Sequence, residues 1–390
     1  MPVSSPRVFQ SLSPYARGSL YYLGYWGVGG VYLGFVNVFF AQIGLDLTQI
    51  GFLSALVPLL VLTLAPIVAA WADRRAARVR LVVFGLAGLG VSMIALFFAR
   101  GFTSVLIVYT VFAAFTSVVP PVADGLIVRM AVKHKIEFGQ MRLWGSLSFA
   151  ITSALSGWLW GRIGYAPMFL ISGALFLLLA PVALSLEEAS PAPVRAKFSA
   201  GNILRDSGTL TVLLLSLVVG LALGLSTPFL GVNIERLGGS ALQIGLLYAV
   251  IAIAEVPVMR LEARLARLIG DAGVLAVACV CFTLVYVSFA LIPDPNWLIV
   301  FSLLEGVGFA LFFVATVRIV DDRAEAGRSS TLQSIRSALT FGIAPLIASP
   351  SGGTIFSAIG PGVFAITAAL MLVSVGIVLA RRKTLHSSLG

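Results

Sequence analysis

Apolar stretches of about twenty residues, separated by short polar junctions, recur from one end of this 390-residue chain to the other. In hydrocarbon such a stretch must bond its own backbone, because water is not there to do so, and a helix achieves this within one segment. With 59% hydrophobic and only 11% charged residues, the chain lacks the polar surface of a soluble domain. The expected fold is an all-α membrane protein of twelve transmembrane helices, since twelve helices of about twenty residues leave only short connections.

A net charge of +10 would suit a nucleic-acid partner, but its distribution argues against one. Arg and Lys collect at alternate junctions: Arg74, Arg75, Arg78 and Arg80; Arg129, Lys133 and Lys135; Arg195, Lys197 and Arg205; Arg264 and Arg267; Arg323 and Arg328; and Arg381, Arg382 and Lys383. The intervening junctions hold little more than Arg100, Arg162 and Arg236. That asymmetry is the positive-inside pattern, and it places both termini and the central loop in the cytoplasm, with the chain in the plasma (inner) membrane.

The first six segments are read over residues 18–43, 48–71, 79–99, 103–131, 139–160 and 167–186. Tyr21, Tyr22, Tyr25, Trp26 and Tyr32 in the first are expected to include interface anchors. Pro58 and Pro66 mark bends in the second. Residues 187–207, EEASPAPVRAKFSAGNILRDS, are the one long polar stretch. They read as a linker between an N-terminal six-helix bundle (1–186) and a C-terminal one (208–390). Cys279 and Cys281 are two apart on one helix and point to different sides, so neither a disulfide nor a metal site is indicated. His134 and His386 fall in cytoplasmic segments, and no cofactor is implied.

The second six segments mirror the first. Gln49-Ile50-Gly51 opens segment 2, and Gln243-Ile244-Gly245 opens segment 8, 194 residues later (243 minus 49). The same offset carries Arg142 to Arg336 and Asp124 to Arg318. Parallel repeats of this kind bind their solute near the midplane, where the halves meet.

The richest stretch is PPVADGLIVRMAVKHKIEFGQMRLWG, residues 120–145. Asp124 lies near the end of one apolar helix and Arg142 near the start of the next, equidistant from a turn at Lys133. In an antiparallel hairpin they therefore face one another, about two turns inside the bilayer. A charge at that depth costs roughly 2.5–3.5 kcal/mol, so it faces a partner or a watery cavity. The alternatives are a buried structural ion pair, or Arg142 reaching back to the headgroups. Further intramembrane polar groups are Glu255, two residues before Pro257, and Glu305 in segment 10. An isolated carboxyl in an apolar helix is a proton-carrier candidate, or else a protonated structural group. Gln333 and Arg336, three apart, share one face of segment 11. Arg336 either meets the solute or snorkels to the cytoplasmic surface beside Glu325.

Two motifs carry a resemblance. Residues 70–80, AWADRRAARVR, resemble the loop signature between helices 2 and 3 of the major facilitator superfamily, with Asp73, Arg74 and Arg78 matching. Ala69 and Ala76 replace that signature's glycines. The resemblance implies that these residues form a conformational loop holding one half of a transporter against the other. Asp124, the Glu137-Phe138-Gly139 turn and Arg142-Leu143-Trp144-Gly145 resemble the lactose permease and phenylpropionate transporter branch of that superfamily. In that branch an acid and an Arg eighteen apart bind the solute. Two departures stand out. Phe149 replaces the sugar-stacking tryptophan seven residues after the Arg, and segment 9 has no basic residue to assist the acid of segment 10.

The implied protein is a proton-coupled symporter of a small polar or anionic organic solute, a sugar or an aromatic or organic acid. Its solute site would comprise Asp124, Arg142, Phe149, Gln333 and Arg336, with Glu255 and Glu305 as proton carriers. Its partners would be the solute, protons and the bilayer, and the chain would act as a monomer. A proton-driven efflux antiporter is the alternative within the class. A channel or a membrane-embedded enzyme is the alternative outside it, though no paired-Asp, Ser-His or metal cluster is visible.

Overall fold

The computed structural model describes residues 11–188, 206–324 and 329–385, and every regular element among them is helical. Most of the expected linker, with Arg195, Lys197 and Arg205, lies outside the described residues, as do Glu325 and His386. The first part comprises α1 (Pro14–Tyr32), α2 (Val36–Gln42), α3 (Leu47–Arg75), α4 (Arg78–Phe98), α5 (Gly101–Lys133), α6 (Phe138–Ile163) and α7 (Pro167–Ala183). The second comprises α8 (Ser207–Ser226), α9 (Leu230–Arg236), α10 (Ala241–Leu291), α11 (Pro295–Arg323), α12 (Ser329–Ala338), α13 (Ala344–Ile359), α14 (Gly362–Ala380) and α15 (Arg382–Leu385). A π-turn, Leu339–Ile343, joins α12 to α13.

Polar residues at the junctions start several helices. Ser13 caps α1 by accepting from the Ala16 N–H at 3.2 Å, and Asp206 caps α8 by accepting from the Thr209 N–H at 2.8 Å. Glu188 accepts from the Arg78 and Val79 N–H groups at 3.2 and 3.0 Å, so a carboxylate from the start of the linker closes the N-terminus of α4. Among the described residues nine helices are long and apolar enough to cross a membrane, and α7 is a shorter apolar helix. The 51 residues of α10 are two helical arms that meet at Gly270, whose non-helical φ of 72° a glycine adopts without strain.

Many large apolar side chains lie on the outside, Phe98, Leu178 and Leu268 among them, as a lipid-facing surface requires. Four of the five aromatic residues expected as interface anchors are instead buried: Tyr21, Tyr22, Tyr25 and Tyr32. They line the face of α1 that packs on its neighbours in the same unit, where Tyr21 stacks on Tyr25 at 6.0 Å. Cys279 and Cys281 are free and buried.

Contacts divide the chain into two compact units. The first contains Met1–Asp46, Leu56–Pro193 and Gly239–Ala249; the second contains Leu47–Ala55, Val194–Gly238 and Val250–Gly390. The first turns of α3 thus belong with the second unit, and those of α10 with the first. Close backbone packing explains both. In the second unit a Cβ on Gly51 would lie 2.4 Å from the Ser349 carbonyl oxygen, and in the first a Cβ on Gly245 would lie 2.3 Å from that of Ser153. Only glycine admits so close an approach.

Candidate functional site

The hairpin expected around Lys133 is present in the first unit, with α5 ending at Lys133 and α6 starting at Phe138. Asp124 and Arg142 meet as the equidistance argument requires, Arg142 Nη1 lying 3.6 Å from Asp124 Oδ2. The contact is loose. It is longer than a hydrogen bond, and the two side chains are 39% (Asp124) and 47% (Arg142) exposed. Asp124 has a shorter partner that the sequence did not reveal: Tyr22 of α1 donates to Oδ1 at 2.6 Å.

Phe149 lies seven residues along α6 from Arg142, on the same side of the helix. It meets Trp26 of α1 edge to face at 6.5 Å. Gly145 lies between them in sequence, and a Cβ there would lie 2.7 Å from Trp26 Cδ1. The first unit therefore combines a half-exposed guanidinium with an aromatic pair about two turns away.

In the second unit Arg336 is 2% exposed. Its Nε donates to Gln333 Oε1 at 3.0 Å, its Nη1 to Thr316 Oγ1 at 3.3 Å, and its guanidinium lies over the Phe313 ring at 5.0 Å. Gln333 in turn donates to the Val317 carbonyl at 2.7 Å. The expected shared face of Gln333 and Arg336 is therefore a bonded contact. Among the described residues Arg336 has no carboxylate partner. The snorkelling alternative does not describe this geometry.

Packing also corrects the repeat register. Helices α3 and α10 match at 194, but their glycines meet Ser349 and Ser153, which are 196 apart (349 minus 153). The π-turn lies between Arg336 and Ser349 and accounts for one of the two added residues, which leaves a register of 195 at Arg336. At 195, Ser337 rather than Arg336 is the counterpart of Arg142, and Arg336 corresponds to Met141, which is also buried. One residue is about 100° around a helix, which explains why the two arginines differ in exposure.

Arg318, which the 194-residue offset pairs with Asp124, is committed elsewhere. Its Nη1 donates to Asp271 Oδ1 at 2.7 Å and its Nη2 to Glu262 Oε1 at 2.8 Å, and both acids are buried. Since Glu262 and Asp271 flank Gly270, this triad pins the two arms of α10 to α11. Glu305 is buried beside Tyr286 on α10, with Oε2 lacking a hydrogen-bond partner among the described residues. Glu255 is half-buried on α10. In the signature loop Arg74 is exposed and bonds the Ala70 carbonyl at 3.2 Å, while Arg78 is buried. The side chain of Asp73 lies outside what the structure describes. Ala76, standing where the superfamily has glycine, has a φ of +46°.

The long apolar helices define a multi-pass membrane protein. The family model described as "MFS_1 like family" matches residues 15–384, and the chain belongs to that family, within the major facilitator superfamily. The maltose permease of Geobacillus stearothermophilus is 25% identical over 310 residues, 78% of each chain. The probable 3-phenylpropionic acid transporter of Escherichia coli (strain K12) is 25% identical over 386 residues, 91% of this chain and 94% of the relative. The crystal structure of the nucleoside transporter NupG superposes with a TM-score of 0.80 at 14% identity, covering 95% of this chain and all of that one. A bacterial homologue of the human lysosomal transporter Spinster, in an inward-facing and unoccupied conformation, gives 0.75 at 14% identity over 99% of this chain. These likenesses establish the fold, and the protein is a multi-pass membrane transporter of small solutes.

Proposed function

We propose that the protein is a proton-coupled symporter of a small organic acid carrying an apolar or aromatic group, working as a monomer with both termini in the cytoplasm of a plasma membrane. The observation that carries the reading is Arg142, intramembrane and half exposed, whose one acid contact is 3.6 Å long. A guanidinium so placed offers two parallel donors to a carboxylate. Trp26 and Phe149 offer the apolar part a wall. Asp124 offsets the charge of Arg142 before the solute arrives. Arg336 and Gln333 make a second contact to the solute only when the Thr316 and Val317 bonds open. Glu305 is the first candidate for the proton and Glu255 the second. Asp73, Arg74 and Arg78 act in the conformational loop.

The probable 3-phenylpropionic acid transporter among the relatives supports an aromatic acid. A sugar is the second reading, favoured by the half-buried Trp26 ring beside the charge pair, and the maltose permease relative supports it. Purified protein in liposomes with a pH-sensitive dye, offered 3-phenylpropionate, its amide and maltose, tests the proposal. Uptake of the carboxylate with protons, and its loss in Arg142→Gln, is the expected result. Maltose uptake with no response to the carboxylate would replace it with the sugar reading.

A further inference from the structure

Tyr22 contacts both helices of the hairpin. Its hydroxyl donates to Asp124 Oδ1 of α5 at 2.6 Å, and its ring packs edge-on against Phe138, the first residue of α6, at 5.9 Å. The residue is 1% exposed, so this arrangement is built into the packing of α1.

The consequence appears at Arg142. Arginine and a carboxylate normally form two short parallel bonds when nothing competes. Here the guanidinium reaches Oδ2 alone, at 3.6 Å, while Oδ1 accepts from Tyr22. Among the described residues Arg142 has no other acid partner, and its guanidinium also lies within range of the Tyr22 hydroxyl.

We propose that Tyr22 is a positioning residue: its hydroxyl holds Asp124 so that Arg142 stays open to the carboxylate of the solute. The proposal rests on the anionic-solute reading for what Arg142 receives, but not for the geometry itself. Without the hydroxyl, Asp124 Oδ1 needs a new donor, and the guanidinium is the nearest strong one. Arg142 would then close on Asp124 as a bidentate pair, and a solute would have to displace an internal carboxylate.

The test needs no solute. Phenylglyoxal modifies arginine side chains that are accessible and not tied to a carboxylate, and peptide mass spectrometry reads Arg142 by itself. Tyr22→Phe keeps the ring against Phe138 and removes only the hydroxyl. Modification of Arg142 should slow about fivefold in that variant, the size of one ordinary net hydrogen bond. Adding Asp124→Asn to Tyr22→Phe should restore the rate, whereas Asp124→Asn in the parent protein should change it less than about twofold. An unchanged rate in Tyr22→Phe overturns the proposal. So does a rise of about fivefold or more from Asp124→Asn alone, because Asp124 would then be restraining Arg142 despite Tyr22. That second arm decides the matter even if Tyr22→Phe does not fold. Failure of 3-phenylpropionate to bind would count against the solute reading and leave this result standing.

Discussion

In the first unit Asp124 and Arg142 meet across 3.6 Å with close to half of each side chain exposed. In the second, Arg318, which the 194-residue offset pairs with Asp124, makes bonds of 2.7 and 2.8 Å to two buried acids. The two halves thus use intramembrane charge in opposite ways. A long, open contact leaves donors available to a visitor, and its loss costs the fold little. A tight buried triad has met its desolvation cost with internal partners and has little left to offer a ligand. Intramembrane charge alone therefore does not mark a binding site; unmet bonding capacity does.

The largest contrast should appear in stability. Arg318→Met leaves Glu262 and Asp271 buried without their cation, and should cost about 3–5 kcal/mol in detergent-solubilised protein. Arg142→Gln should change stability by less than about 1 kcal/mol while abolishing carboxylate binding. Thermal unfolding of both variants, with solute binding for Arg142→Gln, checks the pair. Equal destabilisation would erase the distinction between the units.

The register difference gives the next effect. If Ser337 occupies the position of Arg142, a thiol in Ser337→Cys should react with a hydrophilic maleimide on the order of tenfold faster than one in Arg336→Cys, since thiol reactivity depends on exposure. Deleting Leu339, which removes the extra residue of the π-turn, should reverse that order. Faster labelling at 336 in the parent chain would restore the 194-residue equivalence of the two arginines.

A smaller comparison concerns the bends. Ala76 and Gly270 are also 194 apart (270 minus 76), and both have positive φ, +46° and +72°. Alanine is strained there and glycine is not. Ala76→Gly should stabilise the protein by about 1 kcal/mol, and Gly270→Ala should destabilise it by at least about that much. Shifts of the same sign in thermal unfolding would mean that neighbouring contacts, not backbone strain, govern the bends.

The smallest effect is expected at the cytoplasmic ends. Glu187 bonds Lys133 Nζ at 2.7 Å and His134 Nε2 at 2.8 Å, anchoring the hairpin turn. The hydrogen bond from Lys133, assisted by His134, holds the Glu187 carboxyl below its usual range against an opposing effect of burial. A lowered folded pKa stabilises the protein above the ordinary glutamate range, and the contribution is lost as pH falls through the lowered value. Lys133 is well exposed, so the effect is small. Hydrogen exchange over residues 130–137 should rise slightly in Glu187→Gln at neutral pH and converge with the parent protein in acid. In the second unit Arg323 makes the corresponding anchor, donating to Asp206 Oδ1 at 3.4 Å and to the Thr384 carbonyl at 2.8 Å. A difference between variant and parent that persists in acid would show that the carboxylate charge is not what holds the turn.

The sequence by itself determined the features that local chain geometry dictates. Hydrocarbon forces apolar stretches into helices, a short turn sets Asp124 against Arg142, and three-residue spacing sets Gln333 beside Arg336. Each of these depends on counting within one helix or one hairpin. Tyr22 could not be found that way, because it meets Asp124 from 102 residues away, and its position depends on how α1 packs. Its aromatic neighbours read equally well as interface anchors, since burial against another helix and burial in the headgroup region select the same side chains. The 194-residue offset led to Arg336 because residue counting assumes uniform helical rise. A π-turn adds a residue without adding a turn, and no residue type in Leu339–Ile343 announces it. Only the tertiary structure decided which arginine is open and which is bonded, because exposure depends on rotation about the helix axis and on which neighbours accept the charge.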